Sequence, residues 1–308
     1  MNIHRNENPE APHPAGIRPE LMDGLVVANY GSTSLVEDRQ GQLSLCTSRK
    51  STGRIVCGDR VTWRSTGNAE GVIEKRLDRR TVLQRHDSNG KSRPLAANID
   101  QVIVVSAPEP PLDRYLIDRY LAAAEIISAT PSLVINKMDL LDPECIRLMQ
   151  ERIREYREIG YQVSFTCALS GKGVEELSGR LKVGILVGQS GVGKSSLIKR
   201  LLPDRDIAVG TLSDASGLGR HTTTTTTLYH LPGGGDLIDS PGVRDFRLRD
   251  VDPVALAHAF RDFRPFLGQC RFHNCRHDRE PGCALSIAAR NCEINSRRLK
   301  SYRNILHS

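Results

Sequence analysis

One short segment, residues 188–196, constrains the fold of this chain more than any other. It reads Gly188-Gln189-Ser190-Gly191-Val192-Gly193-Lys194-Ser195-Ser196 and matches G-x-x-x-x-G-K-[ST], the pattern of a phosphate-binding loop. The apolar run before it predicts a buried strand, and residues 196–202 after it predict a helix. Glycines let backbone N–H groups surround phosphates, and a helix N-terminus adds partial positive charge. The segment therefore predicts a nucleoside triphosphate site in an α/β domain.

The side chains of this loop have distinct expected roles. Lys194 is expected to reach the β- and γ-phosphates, and Ser195 to ligate the Mg²⁺ that accompanies the nucleotide. The other residues expected to line the nucleotide are Gly188, Gln189, Ser190, Gly191, Val192, Gly193 and Ser196. The alternative is a glycine-rich turn with a chance lysine, and the strand and helix on either side disfavour it.

Length and composition narrow the class of protein. The chain has 308 residues, enough for two or three domains, and no apolar run of membrane-spanning length. Residues 1–20 are polar and contain several prolines, without a hydrophobic signal segment. We therefore expect a disordered N-terminal tail and a cytoplasmic, monomeric protein with no membrane partner.

The formal net charge of +7 is concentrated towards the two ends of the chain. From Arg244 onward thirteen Arg and Lys residues stand against seven Asp and Glu residues, and within 21–90 the counts are eleven and eight. Basic ends around a more acidic middle suggest nucleic-acid contacts at both ends. On charge alone, basic residues that simply face solvent and bind no nucleic acid are an equally good explanation.

Residues 21–90 contain short apolar segments separated by turn residues. Strands are predicted at 25–28, 33–36, 43–46, 60–63 and 71–74. Five short strands in so few residues predict a small β-barrel of the OB type, and an SH3-like barrel is the alternative. Residues 80–98 are polar and are predicted to link this barrel to the next domain.

Residues 98–248 alternate strands with helices, which predicts a doubly wound α/β domain. Strands are predicted at 101–105, 133–135, 163–166, 185–187, 228–231 and 237–239, and helices at 112–128, 143–159, 174–181 and 196–202. Residues 249–308 are predicted to form a basic helical module that is interrupted by clustered cysteines.

A second motif selects the base of the nucleotide. Asn136-Lys137-Met138-Asp139 follows a predicted strand directly, so it lies at the sheet edge where α/β proteins bind ligands. The carboxylate of Asp139 can accept hydrogen bonds from guanine N1–H and N2–H₂, and adenine offers no matching pair of donors. This is N-K-x-D, the guanine motif of GTPases, and beside a phosphate-binding loop it is a strong indication of GTP.

Two further segments match GTPase motifs. Asp239-Ser240-Pro241-Gly242 resembles D-x-P-G, in which Asp239 holds Mg²⁺ through water and Gly242 contacts the γ-phosphate. The segment that begins Cys167-Ala168 resembles the S-A-x loop whose backbone N–H contacts guanine O6, with Cys167 in place of the usual serine.

The order of these motifs is unusual, because the guanine motif precedes the phosphate-binding loop. The same sheet can form if the chain is circularly permuted. The permutation places the predicted switch segment, residues 217–242, just before the C-terminal module, to which motion of that segment could be passed. Within it, the six threonines of 222–227 predict a flexible loop that offers hydroxyls to Mg²⁺, with a β-prone segment as the alternative.

Taken in order, these features resemble the RsgA (YjeQ/YloQ) family of bacterial GTPases over about residues 21–308. The resemblance includes the barrel, N-K-x-D, the phosphate-binding loop, G-R-H-T-T-T at 219–224, D-S-P-G-V-R-D-F at 239–246 and a C-x₄-C-x-H-x₅-C tail. Residues 49–52 match the barrel motif of the family only in part. The resemblance implies hydrolysis of GTP to GDP, stimulated by the small (30S) ribosomal subunit, in late maturation of that subunit, with binding to 16S rRNA.

The resemblance also implies a metal site. Cys270, Cys275, His277 and Cys283 have the family spacing, and three thiolates with one imidazole suit one closed, structural Zn²⁺ site. His273 and Cys292 are the competing ligands. The arginines and lysine expected to contact phosphates around this site are Arg271, Arg276, Arg279, Arg290, Arg297, Arg298 and Lys300.

Catalysis needs a group that orients water, and the position after D-x-P-G is Val243, whose side chain cannot do so. His221 precedes the threonine run and stands in the family motif, so it is the expected catalytic residue. Thr223 is the expected Mg²⁺ ligand, with Thr222 and Thr224 as alternatives. Two other functions compete with a ribosome-stimulated GTPase: a GTP-controlled binding module with incidental turnover, and a P-loop kinase, which the guanine motifs disfavour.

Overall fold

The computed structural model describes residues 20–86, 92–204, 225–240, 248 and 251–308. The predicted disordered tail therefore lies almost wholly outside the described residues. The fold class predicted from the sequence is confirmed: a β-barrel precedes an α/β domain, which is followed by a helical module with a Cys/His cluster. None of the helices in these ranges combines the length and the apolar character needed to cross a membrane.

The barrel is a closed sheet of the first five strands. The strands are β1 (Met22–Asn29), β2 (Thr33–Glu37), β3 (Leu43–Ser48), β4 (Arg60–Gly67) and β5 (Glu70–Arg76). They pair in the order β1-β2-β3-β5-β4, and β4 closes the barrel by pairing antiparallel with β1. Alternating apolar side chains fill the interior around Trp63, which is 2% exposed.

The segment predicted as a polar link contains a β-hairpin, which the sequence analysis missed. Strands β6 (Val82–His86) and β7 (Ser92–Ala97) pair antiparallel. Leu83, Ala96 and Ala97 are fully buried, and Leu83 and Ala96 belong to the main hydrophobic core. The apolar residues of this hairpin are few and stand among polar residues, so the sequence pattern did not predict strands here.

The α/β sheet continues from the barrel. Its strands are β8 (Gln101–Ser106), β9 (Thr130–Ile135), β10 (Gln162–Phe165), β11 (Val183–Val187), β12 (Thr227–His230) and β13 (Asp236–Asp239). The strand order is β10-β9-β8-β11-β13-β12, and every pair is parallel except β12 with β13. Because parallel strands end at one edge, the loops after β8, β9, β10, β11 and β13 meet there.

The helices of this domain lie close to the predicted positions. They are α1 (Arg114–Ile126), α2 (Pro143–Arg152), α3 (Arg154–Glu158), α4 (Val174–Ser178) and α5 (Lys194–Leu201). The single helix predicted over 143–159 is wrong, because Ile153 ends α2 with non-helical dihedral angles. Ile153 is fully buried, and the break turns Tyr156 into the core beside it.

The C-terminal module consists of α6 (Pro253–Ala259), a 3₁₀ helix (Arg261–Phe266), α7 (Ala284–Arg290) and α8 (Ser296–Leu306). Its core is aromatic: the rings of Phe260 and Phe263 stack at 4.8 Å, and Tyr302 meets both edge-on at 5.8 and 5.7 Å. Such pairs add to the stabilisation from apolar burial. The module packs on α1, so it continues the core of the α/β domain.

Barrel and α/β sheet are joined along strand β12. β1 pairs antiparallel with β12, with Ala28 opposite Thr227. Near the other end of β12, His230 bonds Glu37 of the barrel through Nε2 and Asp236 of β13 through Nδ1, both at 2.7 Å. The hydrogen bonds to Asp236 and Glu37 raise the pKa of His230 to about 10. The imidazole therefore bridges the two carboxylates as a cation at neutral pH.

Candidate functional site

The phosphate-binding loop lies between β11 and α5, as the sequence predicts. Gly188 follows β11 with φ of +145°, and a Cβ at this position would lie 2.1 Å from the carbonyl oxygen of Val105. Only glycine fits this contact with β8. Lys194 Nζ donates hydrogen bonds to the carbonyl oxygens of Gly188 and Gln189, both at 2.7 Å. The loop therefore has the curled backbone that a phosphate requires, with its lysine folded across it.

Asn136 connects the guanine motif to two other loops. Its Nδ2 donates to the carbonyl of Val192 at 3.1 Å. Its Oδ1 accepts from Thr166 Oγ1 at 3.1 Å and from the backbone N–H of Ala168 at 3.2 Å. Asn136 is 1% exposed. Burial of an amide is favourable only when its hydrogen bonds are made, so this side chain holds the three segments in a fixed arrangement.

In the rest of the guanine motif, Lys137 and Met138 are half-buried and Asp139 is exposed. Lys137 has a left-handed backbone, with φ of 60°, and its Nζ donates to the carbonyl of Glu109 at 3.0 Å. Met138 and Asp139 begin a short 3₁₀ helix, in which Asp139 is exposed. The carboxylate of Asp139 is thus accessible to a base.

Cys167 takes the place of a serine in the predicted guanine loop without opening it. Its Sγ accepts a hydrogen bond from the N–H of Ser170 at 3.4 Å, and its backbone N–H donates to Lys172 at 2.9 Å. A thiol is a weak acceptor, but this one is only 4% exposed and has little competition from water. The thiol and the backbone N–H of Cys167 therefore hold together the loop that carries Ala168.

These segments surround one cavity of about 380 Å³ at the carboxyl edge of the sheet. Its lining residues are Lys137, Leu186, Ser190, Gly191, Gly193, Lys194, Ser195, Ser196, Ile198, Asp239 and Ser240. The cavity is in the range of small-molecule sites, and its lining residues include four serines, two lysines and one aspartate. This donor set fits a polyphosphate with its metal ion: Lys194 for phosphate, and Ser195 and Asp239 for Mg²⁺.

Part of the predicted site lies outside the described residues. These residues are His221, Thr223 with its alternatives Thr222 and Thr224, and Gly242. The strands next to them are described: Ser240 Oγ lies 2.8 Å from Thr226 Oγ1 at the open end of the β12–β13 hairpin. The described ends of β12 and β13 therefore lie together, and Ser240 lines the cavity.

The C-terminal module contains a second candidate site. Cys270, Cys275, His277 and Cys283 offer ligand atoms that all lie within 4.8 Å of one another, so the cluster could hold a metal ion. His277 Nδ1 is 3.4 Å from Cys270 Sγ and 3.5 Å from Cys283 Sγ. About 2.3 Å from each sulfur is a normal zinc distance, so such separations suit a tetrahedral ion. The competing residues His273 and Cys292 are not part of this cluster.

Contacts around the cluster fix its ligands. Ala284 N–H donates to Cys270 Sγ at 3.2 Å, and Arg303 Nε donates to the carbonyl of His277 at 3.2 Å. The Tyr302 hydroxyl donates to the carbonyl of Arg276 at 2.7 Å, which connects the loop to the aromatic core. These are outer contacts of the kind that orient metal ligands.

Two of the arginines predicted to contact phosphates do not do so. Arg298 is 1% exposed and binds Asp118 at 2.7 Å and Asp262 at 2.6 Å. Arg297 binds Asp118 and Glu155 at 2.6 and 2.7 Å. Burial alone would lower the pKa of Arg298, but the hydrogen bond to Asp262 and the charge of Asp118 raise it. Both arginines attach α8 to the α/β domain, and their charges are neutralised internally.

The sequence analysis missed the supporting residues of the site. Thr166 and the carbonyl of Glu109 contact the guanine motif, although neither residue belongs to a recognisable motif. The bridge from His230 to Glu37 spans 193 residues of sequence. No sequence pattern could indicate these contacts, because they depend on which loops the sheet order brings together.

Comparison with known proteins identifies relatives over nearly the whole chain. A model of the RsgA GTPase family matches residues 76–249. A protein of Pseudomonas fluorescens strain SBW25, "Small ribosomal subunit biogenesis GTPase RsgA", is 44% identical over 97% of this chain and 89% of its own length. The protein of the same name from Pseudomonas aeruginosa strain LESB58 is 46% identical over 92% of this chain and 85% of its own.

Solved structures agree with this comparison. The crystal structure of YjeQ from Thermotoga maritima matches with a TM-score of 0.77 and 33% identity, over 94% of this chain and 98% of that one. The structure of YloQ, described as a circularly permuted GTPase, matches with a TM-score of 0.74 over 96% and 97% of the two chains. Because YloQ is only 24% identical to this chain, the match shows a shared fold, including the permuted order of the motifs.

Proposed function

Since this chain belongs to the RsgA GTPase family, we propose that the small ribosomal subunit stimulates its hydrolysis of GTP to GDP and phosphate, and that it assists late maturation of that subunit by binding 16S rRNA. The protein acts as a monomer in the cytoplasm. The relatives named for small-subunit biogenesis cover almost the whole chain, which supports carrying the role over.

The observation that carries the proposal is the position of Asn136. One buried side chain binds the phosphate loop at Val192 and the guanine loop at Ala168. A nucleotide placed against this edge meets Asp139 at its base and Lys194 at its phosphates. Ser195, Thr223 and Asp239 hold Mg²⁺, which neutralises phosphate charge, and Gly242 contacts the γ-phosphate.

The Cys/His cluster holds one structural Zn²⁺. Four protein ligands close the coordination sphere, so the ion orders the loop and takes no part in hydrolysis. Among the described residues, Arg271, Arg276, Arg279, Arg290 and Lys300 are exposed around it without a carboxylate partner. They offer a basic surface to rRNA phosphates.

The barrel offers a second basic surface. Lys50, Arg54, Arg60 and Lys75 are exposed, and in the described part of the chain none has an ion-pair partner. Two sets of exposed basic residues, one in the barrel and one in the C-terminal module, suit a partner as large as a ribosomal subunit.

His221 orients the attacking water. Val243 stands where a Ras-like GTPase has its glutamine, and an imidazole can accept the proton of water near neutral pH. Docking on the subunit brings this residue to the γ-phosphate, which links turnover to the partner.

A second candidate function is a GTP-controlled RNA-binding module with only incidental turnover. The pairing of β1 with β12 favours it, because the barrel is attached directly to the hairpin from which both switch segments leave. In that case GTP would set the barrel position, and hydrolysis would only reset it.

The variant His221→Ala separates the two functions. The leading proposal predicts unchanged GTP affinity and subunit binding, with loss of most subunit-stimulated hydrolysis. His258→Ala, at an exposed position on α6 outside the nucleotide cavity, is the control. Full stimulated turnover in His221→Ala would reject this residue as the catalytic group. Absence of any stimulation in the unsubstituted protein would leave the binding module as the function.

A further inference from the structure

Phe272 is unusual among the aromatic side chains of this protein. Of the tyrosines, phenylalanines and tryptophan in the described ranges, it alone is exposed, at 42%. It lies in the metal-binding loop between Cys270 and Cys275. Single exposed apolar residues are common on protein surfaces, so the groups beside the ring decide whether it is a contact.

The ring has a charged companion. The guanidinium carbon of Arg271 lies 5.4 Å from the ring centroid of Phe272, within the range of a cation–π contact. Arg276, Arg279 and Arg290 are exposed on the same module, and none has a carboxylate partner among the residues that the structure describes. The ring therefore has one guanidinium group beside it, on a module that also exposes these three arginines.

The acidic groups of the loop are engaged elsewhere. Glu280 accepts the backbone N–H groups of Arg276, Asp278 and Arg279 at 2.9, 2.9 and 3.1 Å. Asp278 lies 3.2 Å from the imidazole of His307. These carboxylates shape the backbone of the loop and leave the guanidinium groups available to an anionic partner.

The backbone that carries the ring is fixed. Arg271 N–H donates to the carbonyl of Gly282 at 3.1 Å, and the carbonyl of Phe272 accepts from Cys275 N–H at 3.2 Å. The segment that carries the ring is flanked by Cys270 and Cys275, which both belong to the Cys/His cluster. A ring held on a fixed loop loses little entropy when it binds a flat partner.

We propose that Phe272, with Arg271, forms a stacking platform for one unpaired base of single-stranded RNA, while the exposed arginines of the C-terminal module bind phosphates of the same strand. This inference rests on the RNA binding proposed above and specifies its form. Bases in an A-form duplex are stacked on each other, and the deep major groove excludes side chains. An isolated aromatic ring beside unpaired arginines therefore suits an unstacked base.

Fluorescence offers a local test. The chain has one tryptophan, Trp63, which is 2% exposed inside the barrel. Phe272→Trp adds a second fluorophore at the platform. A single-stranded RNA of about ten nucleotides should quench its emission by stacking, whereas a duplex of equal charge should not. Ile287→Trp, at an exposed apolar position on α7, is the matched control and should respond to neither.

Affinity measurements on the full chain separate stacking from charge. Phe272→Ala should weaken single-stranded RNA binding by about five- to a hundredfold, with less than about twofold change for duplex RNA and an unchanged salt slope. Phe272→Tyr should restore binding. Arg276→Gln should weaken both ligands and reduce the salt slope by about one. Metal content is measured in each variant to confirm that the loop is intact.

The possible failures are distinguishable. If the unsubstituted protein shows no salt-dependent RNA binding, the proposed function fails, and this inference with it. If that protein binds RNA but Phe272→Trp is not quenched, or Phe272→Ala binds single strands at full affinity, the stacking platform is rejected. Full RNA binding by Phe272→Leu would also reject it, because any apolar side chain would then suffice and stacking would not be required.

Discussion

Asn136 donates a hydrogen bond to the backbone carbonyl of Val192 at 3.1 Å, although the two residues lie 56 positions apart in the sequence. The contact joins the guanine motif to the phosphate-binding loop that follows it in the chain. Strand β8 separates β9 from β11, so the loops after all three strands meet at one edge. The permuted order of the motifs therefore still assembles one nucleotide site.

Base selectivity should depend on Asp139. In Asp139→Asn an amide replaces the carboxylate and cannot accept both guanine donors, so GTP affinity should fall by about tenfold or more. Xanthine nucleotide affinity should fall less. Binding is measured by titration of both nucleotides. Glu144→Gln, an exposed neighbour on α2, is the control. Unchanged GTP affinity in Asp139→Asn would show that the base binds elsewhere.

The phosphate-binding loop and the barrel strands could be predicted from the sequence because their signals are local. The phosphate-binding loop, its strand and its helix are adjacent in the chain, and strand residues such as Ile185 are apolar in an uninterrupted run. The barrel strands likewise alternate in the expected way. The hairpin β6–β7 was missed because its few apolar residues, including Leu83, occur in a polar segment.

Removal of zinc should affect the C-terminal module and leave nucleotide binding in place. Chelation, or Cys275→Ala, should disorder the loop, because three remaining ligands cannot close a tetrahedral site. Binding to small subunits should weaken, while GTP affinity stays within about twofold, since the phosphate loop lies in another domain. Cys292→Ala, outside the cluster, is the control. Freshly purified protein without zinc would contradict the assignment.

The buried pair Arg298–Asp118 should contribute strongly to stability. Both side chains are 1% exposed, and they connect α8 to α1. Arg298→Ala removes the buried cation that Asp118 and Asp262 share and leaves Asp118 only the partner Arg297, so the free energy of unfolding should fall by roughly 3–5 kcal/mol. Denaturant unfolding measures the change. Arg290→Ala, at an exposed position, should change it by less than about 0.5 kcal/mol. An equal effect of both variants would refute the role assigned to Arg298.

These two arginines also show where sequence reasoning fails. Arg297 and Arg298 look like any other basic residues in a basic helix, and the sequence suggested that they contact phosphate. Their partner Asp118 lies 180 residues earlier than Arg298. Only the packing of α8 on α1 decides that their charges point inward, and helix packing is a tertiary effect without a local pattern.

The bridge at His230 should make stability depend on pH. Hydrogen bonds to Asp236 and Glu37 raise its pKa in the folded state from 6.5 to about 10. The folded state therefore holds a proton that the unfolded state releases, so this contribution is complete below pH 6.5 and is lost as the pH rises to about 10. Unfolding midpoints across this window should fall more in the unsubstituted protein than in His230→Gln. Parallel pH profiles for the two proteins would mean that the bridge does not form.

The small ribosomal subunit should accelerate GTP hydrolysis at the guanine nucleotide site. The rate of GTP hydrolysis with purified small subunits tests this claim most directly. If docking places His221 at the γ-phosphate, turnover should rise by about a hundredfold or more, the lower range for general-base catalysis. Large subunits, and ATP in place of GTP, serve as controls and should give no such increase. Equal turnover with and without small subunits, or equal stimulation by both subunits, would contradict the account.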